Sequence, residues 1–307
     1  MQEGSRKAIM AAFFANLGIA IAKFVGFLIT RSAGLLAEAG HSLADTGNQA
    51  LLMFGSKRGN RPADRSHPFG YGPERYFWGF VVALVLFSMG GLFALYEGIQ
   101  KLGHPHEIDK PIVGYSILIL AILLESWSLR TAIIESNHVR DRSKSWWHFI
   151  RNAKIPELPV VLLEDVGALL GLIFALGGLT LAEVTGNARW DAVGSVAIGI
   201  LLVVIAIILA IEMKGLLIGE GASDADQAAI TKALSEGDGI NRLIHLRTMQ
   251  QGPDDIIVAA KVDFDHSFSA AQLAKAIDAT EARLRAAVPA AKTVYIEPDI
   301  ARSAAVE

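Results

Sequence analysis

Six apolar segments, at about 8–30, 33–56, 76–100, 111–135, 156–181 and 190–213, are each long enough to cross a bilayer. A hydrocarbon core of ~30 Å needs about 20 apolar residues in helical form. In that medium a helix satisfies its backbone polar groups within its own segment. The first two-thirds of the chain is therefore restricted to a helical bundle in a membrane. The start, MQEGSRKAIMAAFF, carries positive charge ahead of apolar residues, as a secretory leader would. Its apolar run continues to Thr30 with no persuasive cleavage site, so it reads as a first span that is kept.

An even number of spans puts both termini on one side, and lysine and arginine name the side. Arg6 and Lys7 precede the first span. Lys57, Arg58, Arg61, Arg65 and Arg75 follow the second, and Arg140, Arg142, Lys144, Arg151 and Lys154 follow the fourth. The opposite loops carry only Arg31, Lys101, Lys110 and Arg189, diluted by acidic residues. Both termini are expected to be cytoplasmic. With an uncleaved start and no targeting peptide, the expected location is a bacterial plasma membrane.

The formal net charge of −3 gives no basic field for nucleic acid. With no cysteine, disulfides, thiolate metal sites and cysteine nucleophiles are excluded. The sequence holds no HExxH, no nucleophile elbow and no phosphate-cradling loop, so an enzyme is not expected.

After Lys214 the composition changes to that of a soluble domain, entered through GLLIGEGAS. Residues 224–236 read as a helix with Ser223 as N-cap. LIHLRTMQ and IIVAAKVDFD read as strands separated by Gly252-Pro253-Asp254-Asp255, then a helix AAQLAKAIDATEARLRAAV and a strand TVYIEPDI. The expected organisation is a six-helix membrane domain, 1–214, and an α+β domain, 215–307, with a three-stranded sheet and two helices on one face.

Within the spans, polar residues carry the chemical information. Glu38, His41, Asp45 and Asn48 are spaced 3-4-3 and share one face of the second span. Ionisable residues at bilayer depth cost roughly 2.5–3.5 kcal/mol on insertion scales and commonly mark pathways. Imidazole with carboxylate is also a ligand set for a divalent transition metal. The alternative is a packing stripe bonded to backbone or water. In the fifth span Glu164 and Asp165 are adjacent, so their side chains diverge by about 100°. Asp165 is the expected ligand; Glu164 is a second ligand, a proton carrier or a gate. Their alternative is a salt bridge, for which Lys23 in the first span is the candidate cation, or the wall of a water-filled cavity. Carboxylates around a dication offset its desolvation. Glu125 is a candidate for a lateral polar network, Glu97 for an interfacial residue. The outer loop holds His104, His106, Glu107 and Asp109 and reads as solvated; Asp64 and His67 are spaced for a minor site. His245 and His266 show no ligand spacing.

GHSLADTGNQ in the second span, SHPFGYGPERYFW before the third, WDAVGSVAIG in the sixth and the C-terminal α+β domain together resemble the cation diffusion facilitator family over nearly the whole chain. The ED pair and LYEGIQKL are most similar to the branch that includes zinc transporter nine. The resemblance implies a homodimer in the lipid bilayer, a cytoplasmic ferredoxin-like domain, and export of a divalent metal against proton entry. The metal is substrate, and no cofactor is implied. The family's transport site uses a His or Asp and an Asp four residues later on both the second and fifth helices. The second-helix pair is here His41 and Asp45. The fifth-helix Asp is Asp165, but the position four before it is Val161, and Glu164 is the substitute. The family's loop site matches Asp64 and His67, with Tyr71 in place of a third ligand. Zinc is the expected substrate, with manganese or iron(II) as the alternative because the site is rich in carboxylates. A membrane-anchored metal sensor without transport is the rival reading.

Overall fold

The computed structural model describes residues 3–30, 33–103 and 111–300. These form long helices α1 (Glu3–Thr30), α2 (Ala33–Gly59), α5 (Pro111–Val139), α7 (Glu157–Thr185) and α8 (Arg189–Ile218), with a short α6 (Trp146–Asn152) before α7. A further long helix is composite: α3 (Glu74–Val85) passes through a π-helical segment, Leu86–Leu92, into α4 (Phe93–Gly103). Five of these six are apolar and long enough to cross a membrane. The exception, α2, has 27 residues, about 40 Å at 1.5 Å per residue. Its composition is diluted by His41, Asp45, Asn48, Gln49 and the terminal Lys57 and Arg58. Its length suffices for a span, with Asn48 and Gln49 buried on one face and Leu43 and Phe54 exposed on the other.

The chain divides into two compact units. One runs up to Arg61 and resumes at Glu74–Lys214; the other combines Pro62–Pro73 with the chain from Gly215 onward. In the first unit α1 packs on α2, α5 and α7, and α5 packs on α7, while α3 packs on α2. Gly91 and Gly98 let their helix approach the α8 backbone at Val203 and Val196, where any Cβ would collide. Small residues at such crossings are how helices associate without a hydrophobic driving force. The burial pattern is the inverse of a soluble bundle. Ile21, Ile119, Leu123, Ile173, Ile200 and Ile211 are exposed, whereas Asn48, Gln49, Glu125, Ser128, Glu164 and Asp165 are buried. Polar groups that must find partners lie inside, and apolar faces are left for lipid. The helix α7 ends at Gly186, whose φ of 65° is the left-handed conformation that closes a helix at low cost.

In the second unit, α9 (Asp224–Ser235) precedes β1 (Ile240–Gly252), β2 (Asp255–Phe264), α10 (Ala270–Ala287) and β3 (Thr293–Pro298). The sheet order is β1-β2-β3, antiparallel then parallel. Alternate residues of β2, Ile256, Val258, Ala260, Val262 and Phe264, bury one face in a core with Ile230, Leu234 and Leu284 of the helices and Val288 just after α10. Ser223 caps α9 by accepting from the Asp226 N–H. Ser269 and Gln272 form a capping box at α10. The loop of residues 62–73 lies on the β1–β2 turn: a Cβ on Gly72 would run into the Gln251 carbonyl.

Candidate metal transport site

His41 and Asp45 lie one helical turn apart on α2, with Nε2 and Oδ2 3.8 Å apart and both side chains partly accessible. The π-helical segment passes beside them; a Cβ on Gly90 would stand 3.7 Å from His41 Cε1. π-helical turns inside α-helices are frequent at functional sites because they re-aim one face of the helix. Here two adjacent glycines, Gly90 and Gly91, occupy the turn.

The adjacent acids of α7 do diverge. Asp165 faces α5, where its Oδ2 accepts from Ser128 Oγ at 2.7 Å. Glu164 faces α2, where Oε1 accepts from Asn48 Nδ2 at 3.1 Å and Oε2 from Gln49 Nε2 at 2.8 Å. Glu125, buried on α5, lies within electrostatic range of Asp165, Asp45, Glu164 and Lys23. Lys23 Nζ donates to Ser42 Oγ at 3.2 Å, and its charge also acts on Asp45. Val161, at the position of the missing fifth-helix ligand, is fully buried packing. The site is thus an interior acidic group with one lysine and one histidine, shared by α1, α2, α5 and α7. Among the described residues no three His, Asp or Glu side chains close on a common point that could hold a metal ion. The structure brings His41 and Asp45 together, and turns Glu164 and Asp165 to different neighbours.

Of the other sequence candidates, Glu97 pairs with Lys101 at 3.1 Å, which also meets Asp191 at 3.5 Å. Asp64 is saturated: Oδ1 accepts from the Ser66 N–H and hydroxyl and the His67 N–H, and Oδ2 from the Tyr71 hydroxyl at 2.7 Å. These bonds, the Ser66 hydroxyl first, hold its carboxyl well below the usual range. His245 accepts from Arg247, and His266 bonds Asp263 at 2.9 Å. The side chain of Glu38, and His104, His106, Glu107 and Asp109, lie outside the described residues. Sequence reasoning missed Gln49 and Ser128. Each stands three or four residues from a candidate acid on its own helix, Gln49 from Asp45 and Ser128 from Glu125, and that same-face spacing is the signal that could have found them.

A bundle with an apolar exterior and an interior set of carboxylates and amides beside a partly accessible imidazole defines a membrane protein with a polar interior. Residues 9–218 match the family described as the cation efflux transmembrane domain, and the chain belongs to that family. It is a family of transporters rather than enzymes. The chain is 30% identical over 264 residues to the mitochondrial proton-coupled zinc antiporter SLC30A9 of Homo sapiens, covering 86% of this chain and 46% of that protein. The Xenopus laevis protein of the same name is 33% identical over 268 residues, covering 86% and 47%. Metal tolerance protein C4 of Arabidopsis thaliana is 30% identical over 269 residues, covering 85% and 57%. The chain spans about half the length of these curated relatives. The similarity to the zinc transporter nine branch thus holds.

The expectation of a bacterial plasma membrane is corrected by these comparisons, because the animal relatives are mitochondrial proteins. The physical reason for the error is plain: span length and loop charge define orientation in a bilayer, and carry nothing that separates one such membrane from another.

Proposed function

We propose that this chain moves a divalent metal cation, zinc foremost, through the α1–α2–α5–α7 bundle in exchange for protons, working as a homodimer in an organellar membrane. His41, Asp45 and Asp165 bind the ion, with Glu164 as the third carboxylate of the site. The observation that carries the reading is the imidazole–carboxylate pair on α2, one turn from the amides that bond the buried α7 acid Glu164. The proton-coupled zinc antiporters among its relatives support zinc and proton exchange. The membrane part is residues 1–214, and residues 215–307 form a ferredoxin-like domain. Metal binding needs neutral imidazole and ionised carboxylate, so protons and metal compete for the same groups. Imidazole exchanges its proton near neutral pH, which suits a proton-driven cycle. Access alternates between the two sides by rocking of helices about the site.

Asp45→Ala and Asp165→Ala are each expected to abolish zinc flux in proteoliposomes while the protein still inserts and elutes as the wild type does. Flux retained in either variant removes the ligand assignment. A sensor without transport is the second reading, favoured by the amides that turn Glu164 away from Asp165. It predicts metal binding with no flux in the wild type.

A further inference from the structure

We propose that Asn48 and Gln49 are positioning residues that set metal selectivity by tethering Glu164 outside the ion's ligand shell; this rests on the transport reading above. Each oxygen of the Glu164 carboxylate is taken by a different amide N–H, at 3.1 and 2.8 Å. All three side chains are buried. Consecutive helical residues point about 100° apart. Two of them converging on one carboxylate is therefore a specific arrangement, not a by-product of helix geometry. It fixes both the direction and the rotation of the carboxylate plane. The amide oxygens, Asn48 Oδ1 and Gln49 Oε1, have no hydrogen-bond partner. Burying two acceptors unbonded costs free energy, so the amides are oriented for their N–H groups at the expense of their oxygens. The gain is at Glu164.

Asn48 and Gln49 continue the face of α2 that carries His41 and Asp45, one turn further on. The tether therefore ties the substitute acid of α7 to the helix that supplies two ligands, while Ser128 turns Asp165 to the other side. With Glu164 held, the protein ligands are one nitrogen and two carboxylates, a low coordination number that suits tetrahedral zinc with water. With Glu164 freed, a third carboxylate joins, and an oxygen-rich, higher-coordinate set suits manganese. Outer-shell groups commonly change metal affinity by 10–100-fold.

The test is calorimetric titration of zinc and of manganese into the full chain in detergent, for wild type and Asn48→Ala/Gln49→Ala. The ratio of zinc to manganese affinity is expected to fall by about tenfold or more in the double variant. Adding Glu164→Gln to that background is expected to restore the ratio, because the freed side chain no longer carries a charge. The single variants, each keeping one N–H bond, should lie between and decide the matter if the double variant does not fold. An unchanged ratio with zinc bound by the wild type overturns the tether and leaves the transport reading standing. Wild type that binds neither metal removes both.

Discussion

Arg75 and Glu157 form an ion pair at 2.6 Å with both side chains almost fully buried, linking the start of α3 to the start of α7. Arg75 Nη2 and Glu157 Oε2 find no partner, so the pair is only half satisfied. Buried pairs of this kind contribute little net stability, but removing one member leaves an uncompensated charge and costs about 3–5 kcal/mol. Arg75→Met and Glu157→Gln are therefore each expected to lower thermal stability in detergent substantially. The double variant should lose much less than the sum. Additive losses in that cycle would show that the pair is not coupled. Asp64 gives the residue-scale pH prediction. Its carboxyl is held below its ordinary value of 3.8 by four hydrogen bonds in its loop. A depressed carboxylate stabilises the folded loop above its unfolded value, and that contribution fades as pH falls through the folded one. Asp64→Ala should speed amide exchange across residues 62–73 at neutral pH, with the difference from wild type shrinking progressively below pH 3.8. A difference that grows on acidification would contradict the assignment.

At the scale of elements, periodicity and length carried most of what could be read. The spans at 8–30, 111–135 and 190–213 fall inside α1, α5 and α8, which continue beyond them because helical backbone extends past the hydrocarbon. The second span was legible by length despite its polar face, since four polar residues at helical spacing still leave an apolar remainder. β2 and β3 were found to within one or two residues, because alternation in β2 and the Gly-Pro-Asp-Asp turn are local signals; β1 begins three residues before LIHLRTMQ and ends two after it. The π-helical segment was not legible. Its Gly-Gly pair permits it, but the extra residue per turn is stabilised by packing against α8 and α2, which no local pattern encodes. The candidate site shows the same division. The His41–Asp45 pairing follows from i, i+4 geometry, and the divergence of Glu164 from Asp165 follows from 100° per residue. Which neighbour each acid meets, Asn48 and Gln49 for one and Ser128 for the other, depends on tertiary register alone. The family resemblance carried the choice of helices and their ligand positions, and no spacing argument would have singled out Val161 as a missing ligand.

For the whole molecule, the two units divide the chain in a way that its order does not suggest. Residues 62–73, between α2 and α3, group with the C-terminal α+β fold and not with the helices they join. The segment that follows the His41–Asp45 helix is thus part of the same compact body as the sheet. The membrane unit stores its chemistry inside and presents apolar surface outward, a pattern that makes sense only with lipid as solvent. The proposed function makes this interior the path of a metal ion exchanged for protons. The most direct measurement is zinc flux into proteoliposomes of the purified chain, with and without a pH gradient, beside manganese and iron(II). Zinc flux is expected to rise when protons can run the opposite way and to collapse when the gradient is dissipated. Zinc flux indifferent to the gradient, or no flux of any of the three metals from folded protein, would contradict that function.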